Sequence, residues 1–339
     1  LFIAENGTKL SHEVEEYDGS NGKLVAWVKL PLLSSTSDTT LYLRFGNSVC
    51  SDQQDPANVW DRNHKMVHHL DEKEGIHKDS TVNGNNGTSF HGVVGDSIGK
   101  IAGCDEFDGT DDYIEIQHAA SLDLWEDEIT LEAWIYPHSI DAHTYVISRG
   151  NDFYAMLMSW RTVSYYFMKA GWKWDTVDSP YGSIYSNDRW YQVAITMEGR
   201  EVKIYIDGEL VRTMNKGGEL QMGESVVRIG AKTNNQNFFN GLIDEVRISD
   251  TARNASWIET AFENQNEPDK FLKIGDRMGA GIRKGNSYGI NANTSFAFAS
   301  LDNSTISAAI SPGWNHIAET YDGKDLLLYV NGEPASSIA

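Results

Sequence analysis

Residues 190–209 read WYQVAITMEGREVKIYIDGE, and residues 314–333 read WNHIAETYDGKDLLLYVNGE. The two stretches align at a constant offset of 124 (314 − 190), from Trp190 and Trp314 to Gly208 and Gly332. Each copy places a Trp before an alternating run, then a Glu-Gly or Asp-Gly turn, a second alternating run, and Asp207-Gly208 or Asn331-Gly332. Asp-Gly and Asn-Gly suit two-residue hairpin turns, because both central positions need positive φ. The spacing therefore predicts a three-strand meander, present twice.

A second match pairs SRGNDFY (148–154) with RKGNSYG (283–289) at an offset of 135 (283 − 148), so the later copy is shorter between the two matches. A period this long indicates a duplicated domain rather than a solenoid.

Outward from the repeat, short alternating runs dominate: LVAWVKL (24–30), TLYLRF (40–45), YIEI (113–116), ITLEAWI (129–135), VKIYI (202–206) and IDEVRI (243–248). Gly, Asn and Asp punctuate them, which predicts an all-β chain of jelly-roll sandwiches. One segment, NASWIETAFENQ (254–265), has Trp257, Ile258, Ala261 and Phe262 at helical spacing and predicts a short amphipathic helix. Gly- and Asn-rich stretches near 72–100 and 264–270 suggest three parts, 1–72, 73–265 and 271–339.

The chain has 339 residues, 40% of them hydrophobic, enough for two or three cores. Its 49 acidic against 28 basic residues give a formal charge of −21, which repels nucleic acid phosphates and anionic membranes. Cations, neutral sugars and basic surfaces are the partners this charge admits. No apolar run is long enough to span a bilayer. Because the chain opens on Leu1 and stops just after a hairpin signal, it reads as a piece of a longer protein. Cys50 and Cys104 are too few for a disulfide framework, and leave either two thiols or one bridge open.

In order, EFDGTDDYIEI, ITLEAWIYP, VISRG, RWYQVAITMEGREVKIYIDGELV, VRIGA and FFNGLIDEVRIS resemble the strand succession of laminin-G-like domains in the concanavalin A-like superfamily. The resemblance covers roughly residues 85–255. Upstream, HEVEEYDGSNGKLVAWVKLPLLSSTSDTTLYLRFGN is similar to part of domain of unknown function 2341, which commonly precedes such domains in bacterial and archaeal surface proteins. Residues 271–339 resemble a second laminin-G-like domain lacking its opening and closing strands.

Two candidate sites follow. Simple alternation in GLIDEVRIS puts Asp244 on the side of Leu242, Val246 and Ile248, so a carboxylate is aimed at an apolar face and needs a partner. Asp108, Asp111 and Asp112 crowd around Gly109, and hard oxygen donors of this kind suit Ca²⁺. The resemblance implies a structural Ca²⁺ where Asp244 meets Asp108 and Gly109.

The second is aromatic. Residues 160–191 hold a dense set of Trp and Tyr, of which Trp172 and Trp174, followed by Asp175, are the most loop-like. Exposed aromatic faces stack on the C–H faces of sugars, whereas buried ones fill a sandwich.

Five histidines between His64 and His91 match no metal motif by spacing. No Glu-x-Asp-x-x-Glu strand of the glucanase type occurs; Glu128 and Glu132 flank Thr130. The expected function is a non-catalytic extracellular module of a bacterial or archaeal cell-surface, adhesin-like protein, taking a glycan or other surface ligand. A structural spacer and an accessory part of a polysaccharide-degrading enzyme are the two other readings.

Overall fold

The computed structural model describes residues 1–46 and 49–275 and seven strands between Gly281 and Ile338. The chain divides into two compact units, Leu1–Phe271 and Leu272–Ala339.

In the first unit two large antiparallel sheets face each other. One runs in the order Lys173–Asp178, Thr162–Lys169, Tyr154–Ser159, His143–Arg149, Val227–Ile229, Tyr113–Ile116, Gly87–Phe90, Ile76–His77. The other runs Glu209–Asn215, Glu201–Ile206, Tyr191–Glu198, Glu128–Pro137, Asn240–Ser249, Gly103–Asp108, Val94–Ile98. Alternation decides which side chains meet between them. Val193, Ile195 and Met197 of one sheet join Tyr154, Met156 and Met158 of the other in one continuous core. Each such side chain contributes roughly 1.5–3 kcal/mol by leaving water. This is the jelly-roll sandwich expected from the strand pattern.

The meander over 191–215 forms as its turns dictate, with Asp207 at φ 52° and Gly208 at φ 78°. The predicted helix spans Ala255–Asn266, and the Asn254 side chain caps it by accepting from the Trp257 amide. Ile258 packs on Ala194 and Tyr205, and Phe262 stacks on Trp134 at 5.8 Å between ring centroids. The helix thereby covers the outer face of the second sheet.

Residues 1–72 belong to the same compact unit as the sandwich. The hairpin His12–Asp18 with Lys23–Val28 brings Trp27 onto His69 (5.5 Å, stacked), and Arg247 lies over both Trp27 and Trp60. The strand His64–His68 goes further and pairs directly with Asn240–Ser249.

That closing strand changes neighbour midway. On one edge, residues 240–243 pair with Gly103–Asp108 and residues 246–249 with His64–His68. The seam coincides with a bulge against Glu128–Pro137, and Glu245 there has φ 53°. An extra residue reverses the alternation. Ile243, Val246 and Ile248 consequently all face the core, while Asp244 does not share their side. The simple alternation from Leu242 to Ile248 is corrected here: Asp244 points away from the core and is buried by what covers the outer face.

The second unit contains a four-stranded sheet, Gly281–Lys284, Tyr288–Ala292, Phe296–Leu301 and Ser304–Ala309, and a three-stranded one, Ile317–Tyr321, Leu326–Val330 and Glu333–Ile338. Trp314 and Gly332 lie outside the described residues. Cys50 is exposed and Cys104 buried, with no disulfide between them.

Candidate ligand-binding face

The outer faces of the two sheets differ. The helix and the N-terminal hairpin cover one; the other carries an aromatic patch. On the strand Lys173–Asp178, Trp174 alternates outward with Thr176 and Asp178, and the register sets Thr176 opposite Tyr166. Trp174 meets the Tyr166 ring edge-on at 5.4 Å and is 48% exposed. Beneath Tyr166, the buried side chains of Tyr145, Ala155 and Leu157 form an apolar base.

Polar groups border this patch. The Lys232 ammonium lies 5.4 Å from the Tyr145 ring and 5.8 Å from the Trp174 ring, and pairs with the buried Asp152 carboxylate at 2.7 Å. Burial and the nearby Lys232 charge lower the His143 pKa, which keeps that imidazole neutral at pH 7. Burial, with Asp178 and Asp152, raises the Tyr166 phenol, so it remains a hydrogen-bond donor. A rigid aromatic surface with fixed donors and acceptors can hold a polyhydroxylated ligand by stacking and hydrogen bonding together.

The residues expected around this patch are divided by strand geometry. Asp175 lies on the opposite side of its strand from Trp174, and its carboxylate is taken by Lys169 (2.8 Å) and Lys216 (3.4 Å). Trp172 is 65% exposed in the turn before the strand, at φ 59°, beside Phe153. Tyr166, Tyr145 and Lys232 complete the patch. Tyr166 was legible as Trp174's neighbour only once the hairpin register was known, and Lys232 comes from a loop far along the chain.

The carboxylates expected around calcium do not gather into one site. Asp108 lies opposite Asn240, four residues before Asp244 along the closing strand, a distance of about 13 Å in extended chain. Asp244 Oδ2 accepts from the Lys100 and Ile101 amides, both at 2.9 Å, while Oδ1 is buried without a hydrogen bond. Gly99 permits this approach: a Cβ there would sit 2.4 Å from the Gly103 carbonyl. Gly109 serves packing, since a Cβ there would come 2.7 Å from that of Asn240. Asp108, Asp111 and Asp112 do converge, but Asp108 Oδ1 accepts from the Thr110 amide (2.7 Å) and Asp112 Oδ2 from the Asp108 amide (3.0 Å), as in a self-contained turn.

Local spacing gives no sign of a further cluster. His69 Nδ1 lies 2.7 Å from Glu245 Oε1 and 3.6 Å from Glu15 Oε2, and its Nε2 lies 3.4 Å from Glu13 Oε2. Burial, reinforced by Glu245, pushes the Glu15 carboxyl up to about 8, against the pull of His69. Glu245 comes from 176 residues downstream of His69, so only the folded chain joins them.

A cavity of about 100 Å³ lies between Thr196, Lys203, Tyr205 and Arg253, well below the few hundred Å³ of an enclosed small-molecule site.

Residues 108–259 match the family described as the Concanavalin A-like lectin/glucanases superfamily. They form a concanavalin A-like domain. Residues 1–85, ahead of this concanavalin A-like domain, match domain of unknown function 2341. No curated protein matches the chain. Among solved structures, domain 4 of AbnA, a GH43 extracellular arabinanase from Geobacillus stearothermophilus in complex with arabinotriose, is similar at 17% identity and TM-score 0.48, over 58% of this chain and 97% of that one. The binding domain of Paraclostridial Mosquitocidal Protein 1 is similar at 13% identity and TM-score 0.49, over 79% and 75%. The botulinum neurotoxin serotype D ligand binding domain in complex with N-acetylneuraminic acid is similar at 14% identity and TM-score 0.47, over 80% and 72%. These likenesses are too distant to transfer a ligand to the concanavalin A-like domain.

Proposed function

We propose that this chain is a non-catalytic glycan-binding module of a cell-surface or secreted protein, and that it binds through the outer face of the sheet carrying Trp174. The observation that supports this reading is the exposed Trp174 ring, braced by Tyr166 over a buried apolar base and bordered by Lys232, on the sheet face that neither the helix nor the N-terminal hairpin covers. An indole ring presented by a rigid strand gives a sugar a preorganised stacking surface, and Lys232, anchored by the buried Asp152 carboxylate, supplies a charged donor beside it. The acidic surface suits neutral or cationic saccharides better than polyanions.

The test is a glycan array probed with the full chain and with Trp174→Ala. Binding that falls at least about tenfold in the variant, consistent with a stacking contact of 1–2 kcal/mol, supports this face. Absence of binding by a folded sample, or binding unchanged in Trp174→Ala, would shift the assignment to a structural spacer or to another surface.

A further inference from the structure

We infer that Glu15, His69 and Glu245 form a buried site for one divalent transition-metal ion, of the Zn²⁺ class, which ties the N-terminal hairpin to the closing strand of the sandwich. Three separate segments supply these residues: the hairpin strand His12–Asp18, the residue after the strand His64–His68, and the seam of Asn240–Ser249. Each can offer one donor atom, all within 4.8 Å of one another. Ligands around a tetrahedral ion at about 2.0–2.2 Å stand roughly 3.4 Å apart, so small side-chain movements close the shell.

An observation beyond the clustering points to a ligand. The Glu15 side chain is 0% exposed, and its Oε1 has no hydrogen-bond partner. Its other oxygen is fixed by the Trp27 indole N–H at 2.6 Å. A fully buried carboxyl oxygen without a donor is a position that either a proton or a cation can complete.

The surroundings have the form of a metal centre's outer shell. His69 Nδ1–H donates to Glu245 Oε1 at 2.7 Å, and Glu13 Oε2 lies 3.4 Å from Nε2, so an ion at this site would take the place of the Nδ1 proton while Glu13 holds the proton on Nε2. Arg247 Nη2 donates to Glu245 Oε2 at 2.6 Å and leaves Oε1 toward the imidazole. A mixed imidazole and carboxylate set suits Zn²⁺ better than Ca²⁺ or Mg²⁺, which take oxygen shells. The φ of 53° at Glu245 belongs to the same construction, since the bulge turns this carboxylate toward the hairpin.

The test uses the full chain, stripped with a chelator, with Zn²⁺ added both to the native protein and during refolding. One Zn²⁺ per chain is expected by mass spectrometry under native conditions, with a rise in the thermal midpoint that excess chelator reverses. Glu15→Gln keeps the size and an acceptor for Trp27, and is expected to weaken Zn²⁺ binding by at least ~100-fold. Asp111→Asn, in the exposed acidic turn, is expected to leave it unchanged. Co²⁺ gives an independent readout: visible d–d absorption in the parent chain that Glu15→Gln loses while its circular dichroism stays native. No stoichiometric Zn²⁺ on the folded parent chain, or binding that survives Glu15→Gln and disappears in Asp111→Asn, would overturn the site.

Discussion

The two meanders, 191–215 and 317–338, are built to one template. Val193 pairs with Ile206, and Ile317 with Val330; Ile195 pairs with Ile204, and Glu319 with Leu328. Even the irregularity repeats: the register shifts between Ile204 and Tyr205 in one copy and between Leu328 and Tyr329 in the other, again 124 residues on. Their settings differ. Tyr191–Glu198 continues into the sandwich by pairing with Glu128–Pro137, whereas among the described residues Ile317–Tyr321 pairs only with Leu326–Val330. Turn chemistry and alternation thus set the same local register, bulge included, in both copies. The neighbours determine what that register is embedded in.

Three experiments would break or sharpen the contrast between the embedded copy and its repeat. The largest effect concerns pH. Asp105, across from Ile243 of the closing strand, is fully buried, and burial with Glu72 and Asp71 pushes its carboxyl up to about 8 against the pull of His77. The folded state therefore holds a proton that the unfolded chain releases near its ordinary value of 3.8. Stability from this group is present below pH 4 and is lost as pH rises toward 8, by on the order of 5 kcal/mol. Asp105→Asn is expected to flatten that decline in the first unit's denaturation curves; an unchanged slope would remove Asp105 as its source.

Next comes the core. Ile204→Ala empties a fully buried position of the embedded meander and should cost about 2–5 kcal/mol. Leu328→Ala, at the matching register position, should leave the first unit's unfolding transition where it was. If both substitutions move the same transition, the two copies do not unfold as separate units.

The smallest effect is at the helix that covers the embedded copy. Asn254→Ala removes the side-chain cap on the Trp257 amide and should destabilise by about 1 kcal/mol, read from urea midpoints at constant m-value.

Much of this fold was legible. The runs at 113–116, 129–135 and 202–206 became strands within a residue or two, and the segment 254–265 became the helix Ala255–Asn266. Those elements follow from periods and turn residues, which are local. What was not legible is instructive. A two-residue period through Asp244 fails at the bulge at Glu245, and no residue type in GLIDEVRIS announces a bulge. Trp174 and Asp175 look loop-like in sequence but lie on the strand Lys173–Asp178, where adjacent residues face opposite ways. The carboxylates around His69 come from Glu13, Glu15 and Glu245, whose meeting depends on which strand borders the closing one. Local rules carry no such information.

The shared closing strand also bears on how such a chain could be recombined. Sequence similarity assigns residues 1–85 and 108–259 to two separate families, which suggests a natural cut between them. Yet His64–His68, on the first side of that cut, is hydrogen-bonded to residues 246–249 on the second. Splicing at the family boundary would leave one piece with an unpaired edge and strip the other of a strand. The block whose strands pair with one another runs from the N-terminal hairpin through the helix, and a graft that carries all of it leaves no strand of the closing edge unpaired.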